Sequence, residues 1–239
     1  MFIYKIMNFL YKSEVIDYDF FNTKNKDTII FLHGWGGNKF SFTQTTNLLK
    51  NKYNILAITI PTTTPTNEVW NLQNYCDLVL NILTIHNIKN PIVICHSFGF
   101  RITMLLNQKI SIKKLIITGG AGIKKDNTFL HIKQRRNLLN IQQNKNLFSK
   151  IASPDYVNLS KTNKQTFKNI VNLNLKNFTT FNCSLLLFWG KFDFETKLWT
   201  AKKLKHTNNA KLIVTKSDHF AYLKQSANFN NSVIKFLEK

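Results

Sequence analysis

The stretch that decides the fold is Pro91-Ile-Val-Ile-Cys95-His96-Ser97-Phe98-Gly99, where a short apolar run gives way to a helical pattern. Uninterrupted apolar runs of this length are typical of strands buried on both faces of a sheet. Ser97 stands two residues after the small Cys95 and two before Gly99. A serine in a sharp strand-to-helix turn needs small neighbours there, because the turn forces strained dihedral angles on it. The stretch therefore predicts a nucleophile elbow with the Ser97 hydroxyl above the sheet.

Strand-like and helix-like segments alternate on both sides of this elbow. Further buried strands are predicted at Thr28–Leu32, Tyr53–Ile60, Lys114–Thr118, Ser184–Trp189 and Lys211–Thr215. Helical spacing covers Ser41–Lys50, Asn67–Asn87, Phe98–Gln108, a segment from about Thr196, and a last one toward Phe236. Ile3–Tyr11 and Val15–Phe21 resemble an antiparallel strand pair. This order predicts an α/β fold with a mostly parallel central sheet and helices on both faces.

The alternation is interrupted between residues 121 and 181, where the chain is polar, basic and helical in character. Residues 121–150 carry seven lysines and arginines against one aspartate. We therefore expect residues 1–120 and 182–239 to form the α/β core, and residues 121–181 to form a helical cap insertion. Ligands of open α/β sheets bind at the carboxyl ends of the strands, and the cap is expected to cover that edge.

Composition restricts the class of protein. The 239 residues are 44% hydrophobic, and 33 Lys and Arg face 12 Asp and Glu, for a net charge of +21. Nearly all the cations are scattered lysines, whereas readers of bases and phosphates favour the bidentate arginine fork. The charge is thus explained by a lysine- and asparagine-rich composition or by a functional basic surface, and nucleic-acid binding is not expected. The three cysteines (Cys76, Cys95 and Cys183) predict neither a disulfide framework nor a zinc site.

Nothing in the sequence predicts a targeting segment or a membrane span. The first residues, MFIYKIMNFLYK, are too interrupted by Lys and Asn for a signal peptide. No apolar run approaches the ~18–20 residues that a membrane helix needs. A cytoplasmic protein without integral membrane association is expected.

A glycine-rich loop, His33-Gly34-Trp35-Gly36-Gly37, follows the strand Thr28–Leu32. Acyl transfer develops an oxyanion, which two preorganised backbone N–H groups stabilise. We expect these from Trp35 in this loop and from Phe98 after the elbow serine. His33 and Gly34 are further candidates for substrate contact, and a plain strand-to-helix turn is the alternative interpretation.

The serine needs a base, and the base needs an orienting carboxylate, in the chain order Ser, Asp or Glu, His. His219 follows the strand Lys211–Thr215 and is the candidate base. Asp193 and Glu195 follow the strand Ser184–Trp189, and Asp193 has the shorter side chain and the better position. Asp218 adjoins His219 in sequence and is poorly placed to reach its Nδ1.

Together these motifs resemble the α/β-hydrolase superfamily, in particular small bacterial serine esterase-like hydrolases with a helical cap. HGWGG resembles the oxyanion loop, CHSFG the elbow, WGKFD the acid loop and SDHFAYLKQ the histidine loop, and the resemblance runs from about residue 13 to 237. It implies a Ser97–Asp193–His219 triad, oxyanion N–H groups from Trp35 and Phe98, and neither a cofactor nor a metal.

The sequence also departs from the family pattern. Cys95 replaces the usual elbow glycine, Phe100 replaces a common glycine, and Pro61–Thr66 lacks the Asp-containing stretch often found there. These changes are expected to crowd or reshape the pocket and to leave the triad intact. Arg101, one turn into the following helix, is a candidate for binding a substrate carboxylate or for a structural bond to a neighbouring loop.

The resemblance implies a cofactor-independent serine hydrolase that cleaves a carboxylic ester or thioester through an acyl-enzyme on Ser97. The same triad also serves C–C bond hydrolases and lyases, and the scaffold can carry a non-catalytic ligand-binding protein. The expected partner is a small-molecule acyl ester or thioester. The basic insertion favours an anionic or carrier-bound substrate.

Overall fold

The apolar runs of the sequence become the strands of one sheet. The computed structural model describes residues 3–125 and 158–239, with the backbone alone for residues 3–6. The strands are β1 Ile3–Tyr11, β2 Glu14–Asn22, β3 Thr28–Leu32, β4 Asn54–Ile58, β5 Ile92–His96, β6 Lys114–Thr118, β7 Ser184–Gly190 and β8 Lys211–Thr215. Their order in the eight-stranded sheet is β1-β2-β4-β3-β5-β6-β7-β8. The hairpin β1–β2 joins β4 antiparallel and all other pairs are parallel, which confirms the predicted mostly parallel sheet.

Helices cover both faces of this sheet. They are α1 Thr43–Leu49, α2 Leu72–Ile85, α3 Phe98–Leu106, α4 Lys161–Val171, α5 Leu198–Asn208, α6 Ala221–Lys224 and α7 Ser226–Leu237, with a short 3-10 helix at Lys176–Phe178. Side chains alternate between the faces of a strand, so Ile30 and Leu32 pack with α2, α3 and α5, whereas Ile29 and Phe31 pack with α1, α6 and α7. The molecule thus has two hydrophobic cores separated by the sheet.

Helix α2 begins five residues later than its apolar spacing predicts. The sequence places its start at Asn67, but Asn71 caps the helix: its Oδ1 accepts from Asn74 N–H, and its own N–H donates to Asn74 Oδ1. Val69, counted from the sequence as part of the apolar face, is exposed. Trp70 is fully buried, and its backbone N–H donates to Thr166 Oγ1 of α4. The segment before Asn71 is therefore held by tertiary contacts with α4, which the helical period does not reveal.

Residues 126–157, the middle of the insertion predicted at 121–181, lie outside the described residues, so the division into core and cap stays a prediction. The described part of the insertion includes α4. Asn163 of this helix donates to Thr62 O and Thr64 O and accepts from Thr66 N. These bonds fasten α4 to the loop that follows β4.

Within residues 3–125 and 158–239, no helix is both long enough and apolar enough to cross a bilayer.

Candidate active site

Ser97 has the backbone of a nucleophile elbow, between the end of β5 and the start of α3. Its dihedral angles are φ 46° and ψ −107°, a region that residues with a side chain rarely adopt. Two bonds fix the turn: Ser97 N–H donates to Thr118 O at 3.2 Å, and Ala121 N–H donates to Ser97 O at 3.1 Å. The sharp turn predicted at Ser97 is therefore present, and the hydrogen bonds with Thr118, at the end of β6, and with Ala121 stabilise its strained backbone.

The small residues around the elbow have different reasons. A Cβ on Gly99 would lie 2.2 Å from Leu32 O, so only glycine lets α3 approach β3. The Cys95 side chain points into the core, where its Sγ is 3.7 Å from Ile116 O and burial raises its pKa to about 12. Phe100 is likewise fully buried. The expectation that Cys95 and Phe100 would crowd the pocket is therefore wrong, because both side chains face the core.

His219 and Asp193 meet at the same edge of the sheet as Ser97. Ser97 follows β5, Asp193 follows β7, and His219 follows β8, so all three lie at carboxyl ends of parallel strands. His219 Nδ1 donates to Asp193 Oδ2 at 2.9 Å, in a pair whose side chains are almost completely buried. The imidazole therefore carries its proton on Nδ1 and directs Nε2 away from the carboxylate.

Asp193 is held as an ionised acceptor. Its Oδ1 accepts from Glu195 N at 3.0 Å and Thr196 N at 2.8 Å, and its Oδ2 also accepts from Thr196 Oγ1 at 2.7 Å. Burial alone would raise the pKa of Asp193, but the bonds from His219 and Thr196 outweigh it and leave the pKa below its usual value. The carboxylate is thus fixed both in place and in charge.

The two other carboxylates considered from the sequence have different places. Glu195 is exposed and its Oε2 lies 3.4 Å from His219 Nε2, on the side opposite Asp193. Asp218 is partly exposed and pairs with Lys224. Among the described residues, no hydrogen bond joins Ser97 Oγ to His219 Nε2; such bonds commonly tighten only when substrate binds.

The acid loop and the histidine loop are locked together. A Cβ on Gly190 would lie 2.1 Å from Asp218 O, so glycine is required where the loops cross. Phe192 N–H donates to Ser217 O at 2.9 Å, and Lys191 N–H donates to Thr215 O at 2.8 Å. This crossing sets the distance between Asp193 and His219.

The loop HGWGG lies against the elbow, as predicted. The backbone N–H groups of Trp35 and Phe98 donate to no acceptor within the described parts of the chain. A Cβ on Gly34 would lie 3.3 Å from Ser97 Cβ, so glycine lets the loop reach the serine. Two unused backbone donors beside a serine form the arrangement that an oxyanion hole requires.

His33 supports this loop from below. Ile60 N–H donates to its Nε2 at 2.8 Å, so its Nδ1 carries the proton and donates to Gly34 O at 2.6 Å. Burial lowers the pKa of His33 to about 4, and both ring nitrogens are used. Its place in the structure is that of a loop support, whereas Gly34 touches the serine.

Lys39 is an anchor that the sequence analysis missed. Its ammonium group lies 2.8 Å from Asp17 and 2.7 Å from Asp19 of β2, with its own side chain almost fully buried. Its N–H donates to Thr59 Oγ1 at 3.3 Å. The end of the HGWGG loop is thereby tied to the amino-terminal hairpin, a contact for which no sequence motif exists.

Arg101 takes the structural alternative that the sequence left open. Its guanidinium donates to Ile170 O at 3.0 Å, Leu173 O at 3.2 Å and Val171 O at 3.5 Å, at the end of α4. Burial lowers its pKa to about 10. These three hydrogen bonds hold the end of α4 against α3, and Arg101 also lines a cavity beside Glu195.

Two of the cavities lined by described residues lie beside the loops that carry Ser97, Asp193 and His219. One, of about 420 Å³, runs from the oxyanion loop to the histidine loop. The residues that line it are Gly34, Trp35, Gly36, Gly37, Asn38, Phe40, Ser41, His96, Phe220, Tyr222 and Leu223. The other, of about 350 Å³, lies below α4 and has Lys124, Lys125, Lys197, Trp199 and Glu195 among its walls. In the described residues no three His, Cys, Asp or Glu side chains come together in a way that could hold a metal ion.

Comparison with known proteins gives the same architecture. No family model matches the chain. It is 23% identical over 220 residues to the uncharacterized hydrolase YugF of Bacillus subtilis, covering 78% of this chain and 80% of YugF. It is 31% identical over 96 residues to the putative esterase/lipase 2 of Mycoplasma genitalium, covering 38% of this chain and 35% of that protein.

Solved structures superpose over nearly the whole chain. A hydrolase from Pseudomonas aeruginosa has a TM-score of 0.78 at 11% identity, covering 98% of this chain and 99% of that one. The esterase EaEST from Exiguobacterium antarcticum has 0.77 at 13%, covering 98% and 100%. The meta-cleavage product hydrolase CumD from Pseudomonas fluorescens has 0.71 at 17%, covering 97% of each. The chain has the α/β-hydrolase fold, which confirms the fold that the resemblance implies.

Proposed function

We propose that the protein is a cofactor-independent serine hydrolase that cleaves a carboxylic ester or thioester through an acyl-enzyme on Ser97. The observation that carries this proposal is the strained elbow serine at the same sheet edge as the buried Asp193–His219 pair. The two unused N–H groups of Trp35 and Phe98 support it further, because a tetrahedral intermediate needs donors where its negative charge develops.

In the first half-reaction Ser97 Oγ attacks the acyl carbon and His219 Nε2 takes the hydroxyl proton. The carbonyl oxygen becomes an oxyanion held by the Trp35 and Phe98 N–H groups. His219 then gives the proton to the leaving alcohol or thiol, and the acyl group stays on Ser97. Asp193 keeps the imidazole in the required tautomer and stabilises the imidazolium.

In the second half-reaction a water molecule replaces the alcohol. His219 Nε2 removes a proton from the water, whose oxygen attacks the acyl carbon. The oxyanion forms again in the same place, and its collapse breaks the bond to Ser97 Oγ. His219 returns the proton to the serine, the carboxylic acid leaves, and the site is restored.

The alternatives differ in what the triad would be used for. C–C bond hydrolysis or lyase chemistry would use the same three residues, and the similarity to a meta-cleavage product hydrolase keeps it as the second candidate. A non-catalytic ligand-binding protein would need neither an ionised Asp193 nor a strained serine, and for that reason we place it last.

Removal of the nucleophile tests the proposal. A Ser97→Ala protein should lose turnover of p-nitrophenyl esters by roughly 10⁴–10⁶-fold, because the acyl-enzyme cannot form. Ser111→Ala changes an exposed serine in the loop before β6, is the matched control, and should keep measurable turnover. Chain lengths from acetate to palmitate would also report the size of the acyl pocket.

A fluorophosphonate probe separates the remaining outcomes. Labelling of Ser97 without ester turnover would move the assignment to C–C hydrolysis or lyase chemistry. Wild-type turnover by Ser97→Ala would eliminate the proposed mechanism. A folded protein with neither turnover nor labelling would favour the ligand-binding protein.

A further inference from the structure

The cavity of about 420 Å³ beside the oxyanion loop contains two polar groups for which the proposed mechanism has no use. Among its walls Phe40, Phe220 and Leu223 are large apolar side chains with much of their surface exposed. His96 and Tyr222, by contrast, are only 2% and 5% exposed, and they still line the cavity. Their rings lie 4.8 Å apart. Neither His96 Nε2 nor the Tyr222 hydroxyl is among the fully enclosed side-chain atoms without a partner in the described residues, so both atoms are accessible from the cavity that they line.

His96 offers a hydrogen-bond acceptor. Its Nδ1 is 3.0 Å from Thr118 O, a carbonyl that can only accept, so Nδ1 carries the proton. Burial and the neighbouring His219 lower the pKa of His96 to about 3, which keeps the ring neutral. Nε2 therefore carries an unprotonated lone pair that can accept a hydrogen bond, and it makes no hydrogen bond to another described residue. Gly34 stands against this edge of the ring, since a Cβ there would lie 2.7 Å from His96 Cδ2.

Tyr222 offers a hydroxyl. It lies where this cavity meets a second one of about 220 Å³ along α1. Burial raises the pKa of Tyr222 to about 12, so the group remains a neutral O–H. Within the described residues it has no hydrogen-bond partner.

The cavity also adjoins the loop that faces Ser97. A Cβ on Gly34 would lie 2.7 Å from His96 Cδ2 and 3.3 Å from Ser97 Cβ, and both Gly34 and Trp35, whose backbone N–H is an expected oxyanion donor, line the cavity. A substituent of a carbonyl group held on the Trp35 and Phe98 N–H groups can therefore extend into it.

We propose that this cavity is a subsite for a substrate hydroxyl group, which donates to His96 Nε2 and accepts from the Tyr222 hydroxyl. The assignment rests on the proposed ester hydrolysis and adds the class of substrate: an ester with a short aliphatic part that carries a hydroxyl. The apolar walls accommodate the carbon chain, and the two polar groups select the hydroxyl over a methyl of the same size. The hydroxyl belongs either to the acyl part or to the alcohol part.

Isosteric substrate pairs test the subsite and identify the part that enters it. For the acyl part the pair is p-nitrophenyl β-hydroxybutyrate and p-nitrophenyl isovalerate. For the alcohol part it is propylene glycol monoacetate and isobutyl acetate. In each pair a hydroxyl replaces a methyl, so the ratio of kcat/KM measures the hydroxyl alone.

We expect wild-type protein to prefer the hydroxylated member of one pair by roughly three- to tenfold, the worth of one neutral hydrogen bond. Tyr222→Phe and His96→Phe should each bring this ratio toward one. Tyr222→Phe is the primary variant, because its hydroxyl has no partner in the described fold to lose. Tyr53→Phe, far from the site, is the matched control and should keep the ratio.

Ratios at or below one in both pairs, or a preference that survives in Tyr222→Phe, would overturn the subsite. If the esters are turned over and the turnover depends on Ser97, that result rejects the subsite and leaves the hydrolase proposal intact. If neither pair is hydrolysed and the fluorophosphonate does not label Ser97, both proposals are rejected together.

Discussion

At the scale of single residues, the site is decided by which carboxylate the imidazole faces. Asp193 contacts Nδ1 from a buried position, whereas Glu195 reaches Nε2 from solvent. An acid on Nδ1 orients the base, while one on Nε2 stands where the serine proton must arrive. The geometry therefore separates two candidates that the sequence alone leaves open.

Replacement of the acid tests this distinction. We expect Asp193→Asn to lower kcat by roughly 10³–10⁴-fold, because an amide donor in this place favours the wrong imidazole tautomer. Asp218→Asn makes the same change at a partly exposed position one residue from His219, and should change kcat by less than about tenfold. Steady-state kinetics on a p-nitrophenyl ester measure both. If Glu195→Gln rather than Asp193→Asn lost activity, the acid would be Glu195.

Single residues also set the limit of what the sequence predicts. Ser97, His219 and Asp193 belong to local motifs with a strand before each of them, and those motifs have a chemical meaning. The roles of Lys39, His96 and Tyr222 depend on partners twenty or more residues away, such as Thr118 for His96. Nothing in their neighbours along the chain indicates those partners.

At the scale of elements, apolar runs predicted the strands well. Seven of the eight strands begin and end within one residue of their predicted bounds, because an apolar run bounded by polar or turn residues has a clear beginning and end. The helix boundaries were less certain. Helix α2 starts at its Asn71 cap, and the last helical segment is divided at Gln225 into α6 and α7. Caps and breaks depend on a few hydrogen bonds, which an apolar period does not encode.

The contact between α3 and α4 depends on one side chain. Arg101→Met would leave the carbonyls of Ile170 and Leu173 without their donor, so we expect the free energy of unfolding to fall by about 2–3 kcal/mol in urea. Lys109→Met removes an exposed ion pair with Asp77 and should cost no more than roughly 0.5 kcal/mol. Unchanged stability together with selective loss of activity on carboxylate-bearing esters would restore the substrate-binding role of Arg101.

At the scale of the whole molecule, the net charge of +21 is the dominant electrostatic property. Lys124, Lys125 and Lys197 bring part of it to the cavity below α4, where Glu195 is the acidic wall. Long-range attraction of this kind raises the rate of encounter with anions and is screened by salt. On this ground we propose, as the basic insertion led us to expect from the sequence, that the substrate or its carrier is anionic.

A matched pair of thioesters tests the charge. Acyl-coenzyme A and the N-acetylcysteamine thioester of the same acyl group differ in the anionic carrier. We expect the ratio of their kcat/KM values to fall several-fold between ~0.02 and ~0.2 M salt, because screening removes the attraction of the anion alone. A ratio that does not respond to salt would assign the charge to composition, the other explanation left open by the sequence.

The position of β8 at the edge of the sheet has a consequence for the order in which parts of the molecule unfold. Ser97 directly follows β5, a fully buried strand in the middle of the sheet. His219 lies four residues after β8, an edge strand that pairs only with β7 and is partly exposed to solvent. Edge strands open at lower free energy than buried ones. Local opening of β8 would therefore move His219 away from Ser97 while both hydrophobic cores stay packed. We expect any activity that needs these two residues together to be lost, on heating or in denaturant, before most of the sheet unfolds.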